Sequence, residues 1–220
     1  MLLISHRGLH MGTAFAENTL EAFENAVNFG VDGIETDVHL SSDGKLVVFH
    51  DRLTPDDQPV EQLTHAQLIR ALGYAVPTLE DLLTAWPDLF WNIEIKAPTA
   101  AASTFRALEA LHNKDRCLVT SFKHDVIATW SRQSDVACGL LFAHRPRSLG
   151  SILHDWKDAS TMRTLVWDFD ILNGALLDEA SKRGYRNFSY GAVSVDEHRL
   201  CGNWPLDGLI TDYPDRYSRG

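Results

Sequence analysis

Short apolar runs recur along the chain and alternate with segments whose apolar residues are spaced three or four apart. The first pattern is typical of buried strands, and the second is typical of amphipathic helices. The apolar runs predict strands over 2–5, 31–38, 90–95, 118–121, 138–142, 164–169, 186–190 and 208–211. The segments between them predict helices over about 18–30, 61–72, from 78 onward, 99–112, 124–132, 147–157 and 173–183.

The first predicted helix has recognisable boundary residues. Asn18 is the expected N-cap, because a short polar side chain directly precedes the periodic apolar residues. Leu20, Phe23 and Val27 are expected to form the buried stripe. Gly30 is expected to end the helix, since glycine readily adopts the left-handed conformation of a C-terminal cap.

A polar turn at Ser42–Lys45 separates the second strand from the apolar run Leu46–Phe49, which predicts a hairpin over 38–50. With this hairpin set aside, eight strands alternate with helices, an order typical of a parallel sheet. Eight such units in 220 residues predict an α/β fold, a (β/α)8 TIM barrel with a β-hairpin excursion after strand 2. No linker or repeat divides the sequence, so we expect a single domain over residues 1–220.

Composition and charge limit the function classes. The apolar share of 45% and the charged share of 23% are ordinary for a soluble globular protein. A formal net charge of −10 and the lack of a basic run argue against a nucleic-acid partner. No apolar run is long enough for a membrane span, so we expect no stable membrane insertion. The oligomeric state stays open.

The cysteines and the N-terminal sequence indicate the cellular compartment of the protein. Cys117, Cys138 and Cys201 are odd in number and lack CxxC spacing, which argues against a disulfide framework and a thiolate metal site. A predicted active-site strand begins at Leu2 and leaves no room for a signal peptide. We therefore expect a cytoplasmic protein.

Ionisable residues stand at the ends of the first three predicted strands of the ring, where barrel active sites lie. Glu35 and Asp37 are two apart on one strand and so point to one face, and Glu94 has the same placement on a neighbouring strand. Three carboxylates facing a barrel interior repel one another unless a cation joins them. Oxygen ligands favour one divalent cation, Mg²⁺ or Ca²⁺. An acidic cluster neutralised by Arg7 and Lys96 is the alternative.

Two histidines also fall at strand ends. His6 follows the first strand beside Arg7, and the hairpin is expected to return His50, next to Asp51, to the same rim. As a pair they can divide the roles of general base and general acid. Arg7 and Lys96 are expected to contact phosphate oxygens. Most other histidines lie in polar sequence and are expected to be solvated: His39, His65, His112, His124, His154 and His198.

Six short motifs occur in order along the chain. They are His6-Arg7-Gly8, Glu17-Asn18-Thr19, Glu35-Thr36-Asp37, His50-Asp51, Glu94-Ile95-Lys96 and Thr211-Asp212-Tyr213-Pro214. Together they resemble the motifs of the glycerophosphodiester phosphodiesterase family over nearly the whole chain. Any one of these motifs is weak evidence for the family, but the occurrence of all six in order makes the resemblance specific.

The resemblance implies a barrel that hydrolyses a small-molecule phosphodiester substrate, a glycerophosphodiester, to an alcohol and sn-glycerol 3-phosphate. It implies attack by the substrate's own neighbouring hydroxyl, with one histidine as base and the other as acid. Which histidine starts as base stays open. By motif, the implied metal ligands are Glu35, Asp37 and Glu94. The implied catalytic histidines are His6 and His50, and the implied phosphate contacts are Arg7 and Lys96.

Two regions depart from the family pattern, and both border the substrate mouth in that family. The segment after His50-Asp51 is short, and Phe188–Gly191 stands where the family shows Trp-Thr-Val-Asn. For Tyr190 we expect a packing role. The alternative functions are the same site acting on a lysophospholipid or another phosphodiester, and a barrel that binds phosphodiesters without turnover.

Overall fold

Eight parallel strands close into a ring, which confirms the predicted barrel. The computed structural model describes residues 1–156 and 158–218. Its strands are β1 (Leu2–His6), β2 (Gly33–Leu40), β3 (Leu46–Val48), β4 (Phe90–Ile95), β5 (Cys117–Ser121), β6 (Ala137–Phe142), β7 (Met162–Asp168), β8 (Arg186–Tyr190) and β9 (Gly208–Thr211). Every strand except β3 belongs to the ring, which closes through pairing of β1 with both β2 and β9.

Helices connect most of the strands. They are α1 (Leu20–Phe29), α2 (His65–Leu72), α3 (Leu79–Ala85), α4 (Pro98–Glu109), α5 (His124–Trp130), α6 (Leu149–Leu153), α7 (Gly174–Lys182) and α8 (Val195–Asn203). The main apolar core lies between these helices and the strands, with Phe23, Trp91 and Trp167 among its largest members. Within the described part of the chain, no helix combines the length and the apolar character needed to cross a membrane.

The predicted hairpin excursion is present. Strand β3 pairs antiparallel with β2, with Val48 opposite Val38. The excursion has its own apolar cluster, in which Val47 packs with residues of α2 and the preceding segment, including Val60 and Leu68. Because the Phe49 amide donates to the carbonyl of Asp37 at 3.1 Å, the chain returns to the carboxyl end of β2 with His50 next in line.

The apolar cluster inside the barrel is formed by side chains from all the ring strands except β2. Its buried members are Ile4, Phe90, Leu118, Leu141, Val166, Phe188 and Ile210. Two glycines leave room for the largest of these rings. A Cβ at Gly33 would lie 2.6 Å from the carbonyl oxygen of Phe90, and one at Gly208 would lie 2.9 Å from the ring of Phe188.

The start of α1 and the region of α8 differ from the sequence-based expectations. Thr19, not Asn18, is the N-cap, and its hydroxyl accepts from the Ala22 amide. Leu20 is exposed, whereas Phe23 is fully buried. The apolar pattern did not predict α8, because few of its residues are apolar. Ser194 and a glutamate three residues later form a capping box that signals its start.

Replacing Gly33 with alanine is expected to destabilise the barrel, because the new methyl group meets a backbone carbonyl that cannot move aside. Overpacking of this kind costs about 1–3 kcal/mol. Urea unfolding of Gly33→Ala should therefore show a lower midpoint than the wild type with an unchanged slope.

The matched control is Gly174→Ala at the start of α7, where an added Cβ would meet no atom of the described residues within 4 Å beyond its own helix and chain neighbours. This variant should be neutral or slightly more stable than the wild type. Equal midpoints for Gly33→Ala and the wild type would contradict the packing described for the barrel interior.

Candidate active site

A cavity of about 240 Å³ opens at the carboxyl ends of the ring strands. One side of it is polar and is lined by His6, Arg7, Glu35, His50, Asn92, Glu94 and Lys96. The opposite side is largely apolar and is lined by Phe122, Leu141, Tyr190 and Ile210. The cavity therefore offers a charged face and an apolar face to one small molecule.

Three carboxylates meet at this rim, as the strand-end positions predict. Glu35, Asp37 and Glu94 each place an oxygen within 4.8 Å of the other two. All three residues are buried, and Asp37 is fully inaccessible to solvent. The parallel register of β2 and β4, with Asp37 opposite Glu94, explains why they meet. Such a buried acidic cluster needs positive charge nearby.

Asp37 receives that positive charge from the protein. The Lys96 ammonium lies 3.4 Å from Asp37 Oδ1, and the Arg7 Nε lies 3.2 Å from Asp37 Oδ2. Asn18 also donates to Asp37 Oδ2 at 2.9 Å. Burial alone would raise the pKa of Asp37, but Lys96 and Arg7 outweigh it and hold this pKa below its usual value. Asp37 is therefore ionised.

Glu35 and Glu94 are compensated less well. Burial, followed by repulsion from Asp37, raises the pKa of Glu35 to about 8. The same causes raise the pKa of Glu94, although Lys96 approaches it to 2.8 Å. Glu35 Oε2 is buried and has no hydrogen-bond partner among the described residues. Arg7 and Lys96 thus do not supply enough positive charge for all three carboxylates of the cluster.

His6 is held by a carboxylate that follows the neighbouring strand β9. Its Nδ1 lies 2.7 Å from Asp212 Oδ1, just after β9, and its Nε2 lies 3.7 Å from Glu35 Oε2. Burial lowers the pKa of His6, but the Asp212 hydrogen bond and the charge of Glu35 outweigh it and raise the pKa. Because Asp212 engages Nδ1, Nε2 is the nitrogen available to a ligand.

His50 has a similar arrangement at the returning arm of the hairpin. Its Nδ1 lies 2.8 Å from Asp51 Oδ1, so Nε2 is again the available nitrogen. Below it, His39 donates from Nε2 to the His50 carbonyl at 3.3 Å. His39 is buried, which lowers its pKa, so the expectation of a solvated side chain is wrong for this histidine.

The loop after β1 is held in an unusual backbone conformation. Arg7 and Asn18 have φ values of 55° and 58°, in the left-handed region, and Gly8 follows Arg7 at 82°. The Arg7 guanidinium also bonds Glu17, at 2.9 Å and 3.1 Å to its two oxygens. The backbone amide of Asn18 donates to the Arg7 carbonyl at 2.9 Å. These contacts aim Arg7 at the carboxylate cluster.

Sequence reasoning missed the site contacts of Asn18 and Asp212. Asn18 bridges the loop to β2, because its side chain bonds Asp37 and accepts from Thr36. Assigning it as a helix cap hid this role. Asp212 is part of the last motif of the chain, but no contact was predicted for it. Its position directly after β9 was the signal that its side chain lies at the rim.

A buried histidine supports the strand end that carries Asp212. His198 of α8 is fully buried, contrary to the expectation of a solvated side chain. Its Nδ1 donates to the Ser194 carbonyl, and its Nε2 lies 2.8 Å from Thr211 Oγ1. The Thr211 hydroxyl also accepts from the Tyr213 amide at 2.9 Å. The turn that contains Asp212 is thereby fixed on both sides.

The apolar face is formed in part by Tyr190, for which packing was the preferred expectation over a place at the mouth. Tyr190 lines the cavity, and its ring meets that of Phe122 edge-on at a centroid distance of 6.1 Å. Phe122 is 42% exposed. Burial raises the pKa of Tyr190, so its hydroxyl is protonated.

Comparisons with known proteins show which family and fold this chain shares. A protein of Mycobacterium tuberculosis named "Probable glycerophosphodiester phosphodiesterase 2" is 32% identical over 97% of this chain and 88% of its own length. The crystal structure of a glycerophosphodiester phosphodiesterase from Thermotoga maritima superposes with a TM-score of 0.84 at 25% identity, covering 97% of this chain and 95% of that one.

A third comparison concerns a structure with a ligand. A phosphodiesterase from Oleispira antarctica, solved with the product sn-glycerol-3-phosphate, superposes with a TM-score of 0.83 at 21% identity, covering 98% of this chain and 94% of that one. At this identity the likeness shows the shared fold. The sequence model of the glycerophosphoryl diester phosphodiesterase family matches residues 6–216. This chain therefore belongs to the glycerophosphoryl diester phosphodiesterase family.

Proposed function

We propose that this protein hydrolyses glycerophosphodiesters to an alcohol and sn-glycerol 3-phosphate, as a single catalytic domain that uses one divalent cation and two histidines. The observation that carries the proposal is the cavity itself. It brings a buried acidic cluster, two histidines with Nε2 available, and two cationic side chains to one small volume. A protein that only binds phosphodiesters has no need for this full set.

The three carboxylates fit a divalent cation. They offer an all-oxygen ligand set, which suits Mg²⁺ or Ca²⁺. Glu35 Oε2 is buried without a hydrogen-bond partner among the described residues, as expected for an atom reserved for an ion. Glu35, Asp37 and Glu94 would hold the cation, which when bound would stabilise negative charge on the reacting phosphate.

The charge balance supports the same assignment. With a divalent cation present, the positive charges of that ion, Arg7 and Lys96 exceed the negative charges of the three ionised carboxylates by one. A phosphodiester carries one negative charge and is attracted to such a site. Arg7 would bond the phosphate oxygens through its planar donors, and Lys96 would act on them as a point charge.

The two histidines would transfer the protons. One Nε2 takes the proton of the substrate's neighbouring hydroxyl as this oxygen attacks phosphorus, and the other gives a proton to the departing alcohol. Water then opens the resulting cyclic phosphate and yields sn-glycerol 3-phosphate. Asp212 and Asp51 keep the Nδ1 atoms occupied and so hold both rings in place.

Product analysis tests the proposal directly. The purified protein would be incubated with glycerophosphocholine, glycerophosphoethanolamine and lysophosphatidylcholine, each with Mg²⁺, Ca²⁺ or EDTA. We expect sn-glycerol 3-phosphate from the two glycerophosphodiesters with a cation, and no product in EDTA. Undiminished activity in EDTA would contradict the metal assignment. Turnover of lysophosphatidylcholine alone would favour the lysophospholipid alternative.

Substituting either histidine is expected to remove catalysis while leaving binding in place. An acid–base group contributes ~10²–10⁴-fold to the rate, so His6→Gln and His50→Gln should lower kcat by about that factor. Their affinity for sn-glycerol 3-phosphate, measured by calorimetry with the cation present, should change little. His112 lies outside the cavity and provides a control, and His112→Gln should retain full activity. Normal kcat in His6→Gln would overturn its catalytic assignment.

The raised pKa of Glu35 predicts a pH-dependent stability in the metal-free protein. The folded state keeps the Glu35 proton up to about pH 8, whereas the ordinary pKa is 4.5. Between these values the unfolded chain releases the proton and the folded chain does not, so this group lowers stability as the pH rises. The Glu35→Gln variant has no carboxyl to titrate at this position, so its stability lacks this pH dependence.

In EDTA, the Tm of Glu35→Gln minus that of the wild type should therefore increase from about pH 5 to about pH 8. Adding Ca²⁺ or Mg²⁺ at the higher pH should raise the Tm of the wild type more than that of the variant. A Tm difference that is independent of pH would show that Glu35 is ionised throughout and would contradict the account of the acidic cluster.

A further inference from the structure

Asn92 is a buried polar residue in the cavity to which no role has yet been assigned. It lies on β4 between Phe90 and Glu94, both of which face the inside of the barrel. In the parallel register it stands opposite Glu35 of β2 and Leu118 of β5. Asn92 therefore lies one step deeper than the level of Asp37 and Glu94, on the floor of the cavity.

The amide of Asn92 is without partners in the part of the chain that the structure describes. The residue is fully buried, and neither Nδ2 nor Oδ1 has a hydrogen bond. Buried polar side chains are nearly always paired, because leaving such a group unpaired costs free energy. An unpaired donor and an unpaired acceptor on one side chain that lines a cavity indicate a ligand with both functions.

The chemistry of the surroundings narrows the ligand. A phosphate oxygen only accepts hydrogen bonds, and it would meet the Glu35 and Glu94 carboxylates beside the amide. An alkyl chain would leave both amide atoms unpaired. An alcohol hydroxyl donates and accepts, and it is neutral, so it can pair with Oδ1 and Nδ2 next to carboxylates.

We propose that Asn92 is a specificity-determining residue that hydrogen-bonds a free hydroxyl of the glycerol unit of the substrate. This inference rests on the proposed function and adds to it the group that recognises the glycerol hydroxyl. A hydroxyl that is esterified to a fatty acid has no proton to donate to Asn92 Oδ1. The residue therefore favours substrates in which the hydroxyl at Asn92 is free over relatives in which that hydroxyl is acylated.

The test compares two ligands that differ only in their hydroxyls. Calorimetry would measure the binding of sn-glycerol 3-phosphate and of n-propyl phosphate to the wild type and to Asn92→Leu, with the divalent cation present. Asn92→Leu keeps the size of the side chain and removes both hydrogen-bonding atoms. We expect it to bind sn-glycerol 3-phosphate about 10-fold more weakly and n-propyl phosphate with unchanged affinity.

Thr120 provides the matched control. Its hydroxyl is also buried and without a partner among the described residues, and it lies on the neighbouring β5, but Thr120 does not line the cavity. Thr120→Val should leave the affinities for both ligands unchanged. Asn92→Ala is the second variant, and it should show the same selective loss if the leucine proves difficult to pack.

Three results would overturn the inference. The first is an unchanged affinity of both Asn92 variants for sn-glycerol 3-phosphate. The second is an equal loss for both ligands, which would indicate a contact with the phosphate or a general distortion. The third is a weaker affinity for the cation alone, measured without ligand, which would make Asn92 a positioning residue for Glu35.

A hydrolysis assay of the wild type distinguishes failure of the role proposed for Asn92 from failure of the proposed function. If the wild type hydrolyses glycerophosphocholine and the Asn92 variants keep full preference for the hydroxylated ligand, only the role of Asn92 is wrong. If the wild type hydrolyses no glycerophosphodiester, the proposed function fails, and this inference fails with it.

Discussion

The ion pairs of Asp37 constrain the carboxyl-end rim of the barrel. A fully buried carboxylate is tolerated only with compensating charge and hydrogen bonds. Arg7 and Asn18 provide them from the two ends of the loop between β1 and α1, and Lys96 from the residue after β4. Satisfying one buried charge therefore fixes this loop relative to β2 and to the end of β4 around the cavity.

The same arrangement leaves carboxylate in excess. Arg7 and Lys96 suffice for Asp37, but Glu35 and Glu94 remain with raised pKa values. A fold selected for stability alone gains nothing from these two acidic groups, because apolar side chains would fill their places at lower cost. The excess makes sense if a divalent cation completes the cluster. Structure and chemistry then depend on the same buried charges.

Much of this could be predicted from the sequence because the signals are local or periodic. The apolar runs identified the ring strands, the polar turn identified the hairpin, and six ordered motifs identified the family, all of which are confirmed. The convergence of Glu35, Asp37 and Glu94 followed from parallel strands ending at one rim. Their roles in binding a metal, and those of the histidines, remain proposals.

The features that could not be predicted depend on contacts between distant residues. Asn18 resembles a helix cap locally, but its side chain bonds Asp37, 19 positions away. His198 stands in polar sequence, yet α8 packs it against Thr211 inside the protein. Helix α8 itself has few apolar residues, so only its capping box signals it. In each case a tertiary contact outweighs what the neighbouring residues indicate.

Direct measurement of cation binding tests the central claim, that the buried acidic cluster exists to hold a divalent ion. Calorimetric titration of the metal-free protein with Ca²⁺ and with Mg²⁺ should show one ion bound per chain for at least one of them. The variant Glu94→Gln should bind that ion much more weakly. Absence of binding by the wild type, or equal binding by the variant, would contradict the account.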